Sequence, residues 1–223
     1  MEHNDGIFWI RHEGAPRLAT ENMDPGCSVY GEKLLDRAGT EYRLWDPFRS
    51  KLAACIYNGL ERLPIIPGSR VLYLGASTGT TASHVSDIVG GRGAVFAVEP
   101  AGRVARDLLH RVASRRPNVI PIMQDSRRPG EYPGMYGAAD VVYADIAQPD
   151  QTAMAVANCK MYLRAEGSLL LVIKARSIDS VRDPAGVIRE ETAKLEADFG
   201  ISQAVDLRTY DRDHSLVHAV YPG

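Results

Sequence analysis

Lys51, Asp145, Lys174 and His214 lie far apart in the chain, yet each falls where an element of an open α/β sheet would begin or end. Their chemistry is complementary. A carboxylate such as Asp145 can hold an ammonium in place, and a held lysine can orient a weakly acidic hydroxyl or accept its proton as the oxygen attacks. A ribose 2′-hydroxyl attacking an electrophilic methyl group is a reaction of this kind. In that reading Lys174 is the base or the hydroxyl-orienting group, Asp145 holds it, and Lys51 and His214 position the acceptor ribose or its phosphate. Taken singly, Lys51 also reads as a surface lysine and His214 as a turn residue, so the expectation rests on the four together. A second pair is acidic. Glu99 suits a ribose diol and Asp125 the exocyclic amine of an adenine, because an ionised carboxylate can only accept hydrogen bonds. Alone, Asp125 is equally a cap at a strand end; the two acids together fit adenosine.

The elements that would position these groups are organised around residues 70–99, RVLYLGASTGTTASHVSDIVGGRGAVFAVE. An apolar run from Val71 to Leu74 enters a turn with Gly75 and Gly79, a helical stretch runs from Thr80 and Thr81 to Val89, and a second apolar run ends at Glu99. This is a βαβ unit. The glycines permit a sharp turn and close approach to a ligand, and the threonines stand at a helix N-terminus whose free N–H groups favour an anionic or carboxylate group. Glu99 stands where such a sheet places the acid that accepts from a ribose. For the loop by itself, a glycine turn serving only strand-to-helix geometry is the plainer alternative. The glycines do not follow G-x-G-x-x-G, and no Tyr has a Lys four residues later. Both facts disfavour an NAD-dependent oxidoreductase.

Residues 1–45 carry short alternating runs between turn residues and read as a small β-rich N-terminal domain that needs a neighbour for stability. Asp46-Pro47 reads as an N-cap and first-turn proline for a helix over residues 48–62, which puts Lys51 near its N-terminus. Downstream, the pattern predicts a basic amphipathic helix over 101–116, a strand over 119–123, a Pro/Gly loop over 129–137 and a strand over 140–143 leading to Asp145. A helix over 148–163, broken by Gly167, then precedes a buried strand over 168–173 ending at Lys174. A helix over 185–199 leads to two strands, 201–207 and 216–221, whose short link permits an antiparallel hairpin. Ligands in open α/β sheets bind outside the carboxyl ends of the strands, so Gly75, Glu99, Asp125, Asp145 and Lys174 are expected on one rim, joined by His214. The plan is that of a seven-stranded, Rossmann-like S-adenosylmethionine-dependent methyltransferase fold over residues 46–223.

Composition narrows the functional classes. The chain has 223 residues, 45% hydrophobic and 24% charged, which reads as soluble and globular. Its aliphatic run Leu169 to Ile173 is far short of the ~20 residues a membrane helix needs, and the polar first residues do not read as a signal peptide. Three cysteines without C-x-x-C pairing indicate neither a disulfide framework nor a metal site, and a reducing, cytoplasmic compartment is expected. A net charge of −2 does not suit a protein that grips nucleic acid alone. If RNA is the substrate, another subunit holds it. Local basic runs, Arg103 to Arg116 and Arg127-Arg128, read as solvated helix faces ahead of a contact patch.

Several blocks, YRLWDPFRSKLAA, VLYLGASTGTTASHVSDIVG, YADIAQPDQ, IKARSID and the DRDHS turn, resemble the fibrillarin family in its short archaeal form, over residues 42–221. The resemblance implies a 2′-O-methyltransferase that uses S-adenosylmethionine and acts on rRNA and tRNA as the catalytic subunit of a box C/D guide ribonucleoprotein. It implies cofactor contacts at Thr80, Thr81, Glu99, Pro100, Asp125 and Ser126, and at Asp145, Ile146, Ala147 and Gln148. It implies catalysis by Lys51, Asp145, Lys174 and His214. As partners it implies a Nop5-type scaffold, an L7Ae-type kink-turn-binding protein, the box C/D guide RNA and the substrate RNA. Two positions depart from the family pattern: Pro100 stands where an aromatic residue usually follows the ribose-binding acid, and Ser126 where alanine is common. A non-catalytic subunit that only braces a ribonucleoprotein is the remaining alternative. The intact Lys-Asp-Lys-His set argues against it.

Overall fold

The computed structural model describes residues 2–132 and 138–223. Strands β1 (Glu2–Asn4), β2 (Ile7–His12), β3 (Ala15–Glu21), β4 (Leu34–Arg37) and β5 (Thr40–Leu44) form an antiparallel sheet of five strands in the order β1-β2-β3-β5-β4. Its own core is small, built on Ile10, Ala19, Leu35 and Tyr42, while Ile7 and Leu18 join the core of the larger sheet. A sheet with so little apolar area of its own draws stability from its neighbour.

Helix α1 (Lys51–Tyr57) is shorter than the apolar spacing predicts, and it starts later. Asp46 is not its cap. Asp46 Oδ1 accepts from the Phe48 N–H at 2.9 Å, closing a separate turn, and Ser50 Oγ caps the helix by accepting from the Ala53 N–H at 3.3 Å. Short polar side chains compete for backbone donors in this way, and the later cap makes Lys51 the first helical residue.

The rest of the chain alternates. Strand β6 (Arg70–Leu74) leads to α2 (Thr80–Val89), β7 (Ala94–Val98), α3 (Gly102–Leu108), β8 (Val119–Ile122) and β9 (Ala139–Ala144). Then come α4 (Gln151–Tyr162), β10 (Leu163–Lys174), α5 (Ala175–Ile178), α6 (Pro184–Leu195), β11 (Gly200–Asp206) and β12 (His214–Tyr221). The strands order as β11-β12-β10-β9-β6-β7-β8, with β12 antiparallel to both neighbours and β6 to β10 running parallel. Successive side chains alternate between two cores. Val71, Tyr73 and Tyr143 pack with Leu52 of α1 and Val85 of α2, whereas Leu72, Leu74 and Val142 pack with Met154 of α4 and Leu195 of α6. Because the chain leaves β6 for β7 and β8 and then crosses back to β9 on the other side, the sheet has its switch point between β6 and β9.

Some boundaries differ from expectation. The helix expected over 101–116 ends as α3 at Leu108 and continues as a π-helical segment, Leu109–Ala113. Gly167 lies inside β10 instead of breaking a helix; a Cβ there would sit 2.6 Å from Leu163 Cδ1, at a register shift between Leu163 and Ser168. It makes room for a bulge. Of the loop expected over 129–137, Pro129–Glu131 is a 3-10 turn and residues 133–137 lie outside the described residues.

The seam between the two sheets is ionic. Asp87 of α2 accepts from Arg43 Nη1 at 2.8 Å, from Thr20 Oγ1 at 2.7 Å and from the Met23 N–H at 3.0 Å, and it pairs with Arg116 Nη1. Arg43 Nε donates to Glu32 at 2.7 Å, and Arg116 Nη2 to Asn22 Oδ1 at 3.0 Å. Arg116 therefore belongs to a buried network and not to a solvated face, and Arg115 is tied to Asp24 at 2.5 Å. His84, 2.7 Å from Thr20 Oγ1 and 2.8 Å from the Tyr30 hydroxyl, stacks on Trp45. Burial first, then the charges of Arg43 and Arg116, hold its imidazole neutral far below the usual 6.5.

Candidate active site

Asp145 follows β9 and keeps pace with β6, its N–H donating to the Leu74 carbonyl at 3.0 Å. Gly75 lies alongside at φ +79°, and a Cβ there would sit 2.7 Å from the Asp145 carbonyl oxygen. Glycine is required here because two backbone segments meet at the switch point. Lys174 ends β10. Its N–H donates to Oε1 of the buried Gln151 at 3.0 Å, its Nζ donates to the Asp145 carbonyl at 2.9 Å, and the same Nζ lies 2.6 Å from Asp145 Oδ1. His214 opens β12 directly opposite Lys174 in the β10–β12 ladder. Lys51 Nζ, from the first turn of α1, is 3.6 Å from Asp145 Oδ1. Lys51, Asp145, Lys174 and His214 thus come together on one rim.

A fifth residue joins them that sequence reasoning did not single out. Asp211, in the turn before β12, lies 3.5 Å from Lys51 Nζ through Oδ2 and 2.7 Å from His214 Nδ1 through Oδ1. Its only sequence signal is membership of the DRDHS block, which offers two acids with nothing to choose between them. Tyr73 and Tyr143 meet edge to face beneath the rim, 4.6 Å between centroids. Burial, and after it the charge of Asp145, push both phenols well above 10, so they stay neutral.

Beside the rim is a cleft of ≈ 260 Å³. Gly75, Glu99, Pro100, Asp125, Ser126, Asp145, Ile146, Ala147 and Gln148 line it, together with Lys174. Gly79, Thr80 and Thr81 do not. Gly79, at φ +94°, is the turn before α2, and a Cβ there would meet Val112 Cγ2 at 2.5 Å, so it serves packing against the segment after α3. Thr81 is buried and donates to Ser50 Oγ at 2.9 Å, tying the start of α2 to the cap of α1. Glu99 is fixed by the Ser77 and Ala101 N–H groups, one on each carboxylate oxygen at 3.0 Å. Each oxygen keeps a further lone pair for a diol. Asp125 Oδ1 accepts from the Arg127 N–H at 2.9 Å, and Arg127 also lines the cleft, where its side chain bonds Asp150 and Gln148. Two anchored carboxylates, a glycine gap and the apolar flanks of Ile146 and Met154 fit an adenosine.

The sequence model of the Fibrillarin family matches residues 1–223. A fibrillarin-like rRNA/tRNA 2′-O-methyltransferase of Saccharolobus solfataricus is 48% identical over 223 residues, covering 100% of this chain and 92% of that protein. Aeropyrum pernix fibrillarin, solved with natively bound S-adenosyl-L-methionine, superposes with a TM-score of 0.89 at 46% identity, over 96% of this chain and 94% of that one. The fibrillarin chain of a fibrillarin/Nop5p complex superposes with a TM-score of 0.87 at 38% identity, over 97% and 98% of the two chains.

Proposed function

Because the chain belongs to the fibrillarin family, we propose that it is an S-adenosylmethionine-dependent RNA 2′-O-methyltransferase, guided to ribose hydroxyls of rRNA and tRNA as the catalytic subunit of a box C/D ribonucleoprotein. The observation that carries the reading is the Lys174–Asp145 pair, set at the switch point of the sheet against a cleft suited to adenosine. When bound, S-adenosylmethionine supplies an electrophilic methyl group. Glu99 would hold the ribose of that cofactor and Asp125 its adenine amine, with Pro100, Ser126 and residues 145–148 completing the walls. Gly79, Thr80 and Thr81 would act through the shape of the turn. An ammonium has three donors; Lys174 gives one to the Asp145 carbonyl and sets a second toward the Asp145 carboxylate at an ion-pair distance of 2.6 Å. The third orients the 2′-hydroxyl, and as the oxygen attacks the hydroxyl proton passes to the Asp145 carboxylate, the one member of the pair with a lone pair to receive it. Lys51 and the Nε2 edge of His214 hold the acceptor ribose or its phosphate.

The same proposal assigns residues 1–45 to an accessory domain and residues 46–223 to the methyltransferase domain. A Nop5-type scaffold as docking partner is supported by the solved complex of the similar fibrillarin. Delegation of RNA binding to that scaffold, to an L7Ae-type protein and to the guide RNA is supported by the net charge of −2. No helix among the described residues is long and apolar enough to cross a membrane. A cytoplasmic location is supported by the free, buried thiols of Cys55 and Cys159. The test is transfer of labelled methyl from S-adenosylmethionine to a guided RNA in a reconstituted particle. Incorporation at the ribose opposite the guide is expected. Full binding of S-adenosylhomocysteine with no incorporation would instead identify a bracing subunit, and tight RNA binding by the isolated chain would contradict delegated recognition.

A further inference from the structure

We propose that Asp211 is a positioning residue of the methyl-transfer site, dividing its carboxylate between Lys51 and His214 so that Asp145 is left to Lys174. The inference rests on the functional reading above and deepens it. Both lysines approach the same oxygen, Asp145 Oδ1, at 2.6 Å for Lys174 and 3.6 Å for Lys51. A second carboxylate 3.5 Å from Lys51 draws that ammonium off, and without it the two cations would compete for one acceptor. The other oxygen of Asp211 lies 2.7 Å from the buried His214 Nδ1, a charge contact that no aligned hydrogen bond yet completes, and a small ring rotation would let it accept from Nδ1–H and leave Nε2 for the acceptor.

The turn is built to hold this one acid inward. The Tyr210 and Asp211 N–H groups donate to the Leu207 carbonyl at 2.9 and 2.8 Å, and the Tyr210 ring packs on Tyr57 of α1 and on Phe48. Asp213, two residues on, points elsewhere: it adopts φ +61°, its carbonyl accepts from the Ala175 N–H at 3.1 Å, and its carboxylate accepts from Arg176 Nε at 3.1 Å. The side chain of Asp211 makes no contact that the turn needs, so its removal leaves the backbone hydrogen bonds in place.

The test compares Asp211→Ala and Asp211→Glu with the wild-type chain in the reconstituted particle, alongside calorimetry with S-adenosylhomocysteine and nitrogen-15 NMR of the His214 ring in the isolated protein. Asp211→Ala is expected to lower kcat by roughly 10- to 100-fold, the scale of a small misplacement of catalytic groups. S-adenosylhomocysteine affinity should stay unchanged, the neutral His214 ring should leave the Nδ1–H tautomer, and Asp211→Glu should recover most of the rate. Wild-type kcat and an unchanged tautomer in Asp211→Ala would overturn the proposal. So would a loss of S-adenosylhomocysteine binding that matched the loss of rate, since that would mark a structural defect. If the wild-type particle transfers no methyl, the functional reading fails, while the tautomer comparison still decides whether Asp211 orients His214.

Discussion

Two clusters of similar composition, one at the seam along α2 and one at the rim of the larger sheet, do different work. At the seam, Arg43, Asp87, Arg116 and Glu32 are at most 1% exposed, and direct bonds of 3.0 Å or less commit their charges to one another, to Thr20, to Asn22 and to backbone. At the rim, Lys174, Asp145, His214 and Lys51 are 12–23% exposed, and Lys51 is held by two contacts of about 3.5 Å. A buried polar network in which every group is matched rigidifies a fold. One that keeps spare donors and acceptors at a cleft has somewhere to put a substrate. The comparison teaches that satisfaction, more than residue type, separates structural charge from chemical charge in this molecule.

Breaking the seam should have the largest effect on stability. Asp87→Ala removes the acceptor shared by Arg43, Arg116 and Thr20 and leaves buried positive charge, at a cost of about 3–5 kcal/mol. Urea denaturation should register that loss, while any protein still folded should bind S-adenosylhomocysteine normally. At the rim, Gly75→Ala forces a Cβ against the Asp145 carbonyl at a left-handed backbone position, costing about 1–3 kcal/mol. Unlike the seam variant, it should also lower kcat/KM, because the Asp145 carbonyl is one of the two anchors of Lys174. Wild-type kinetics in Gly75→Ala would blur the distinction between the regions.

Acid should loosen the seam before the carboxylates titrate. In the unfolded chain His84 takes a proton near 6.5, whereas in the fold burial, then Arg43 and Arg116, keep it neutral far below that. The folded state therefore binds fewer protons, and stability present above pH 6.5 falls by about 1.4 kcal/mol per pH unit below it. His218, lowered from 6.5 chiefly by burial, acts in the same direction. Glu32, held below 4.5 by Arg43 against the opposing pull of burial, contributes a loss only at lower pH. Denaturation midpoints measured from pH 7 to 5 should decline; a flat profile would contradict this. The smallest effect is expected of Arg127→Ala, an exposed residue at the cleft edge. It should leave the melting temperature unchanged and weaken S-adenosylhomocysteine binding by less than about 10-fold, as calorimetry would show.

The rim was legible in the sequence because parallel strands end where their apolar runs end, and the residues just beyond, Glu99, Asp125, Asp145 and Lys174, must then share one edge. The short link between β11 and β12 announced their antiparallel hairpin, but the insertion of β12 beside β10, which sets His214 against Lys174, is a tertiary pairing that local sequence does not show. Asp211 was not legible, since which of two acids in DRDHS faces inward depends on the left-handed backbone at Asp213. The threonines stand at the N-terminus of α2 as expected, but the sequence does not show that tertiary packing gives the Thr81 hydroxyl to Ser50. Arg116 misled for the same reason, because helical periodicity reports a polar face and not what that face meets. Gln151, whose buried amide pins the Lys174 backbone, reads in sequence as one more polar residue near the start of the helix expected over 148–163.

The central claim is that Lys174, held by Asp145, handles the ribose hydroxyl without holding the cofactor. Single-turnover transfer of labelled methyl by Lys174→Ala in the reconstituted particle, with S-adenosylhomocysteine binding measured on the same preparation, tests it most directly. The account predicts transfer reduced by about 10³-fold or more, the upper range for a general acid–base group together with its orienting contact, and undiminished binding. Transfer at the wild-type rate would contradict it.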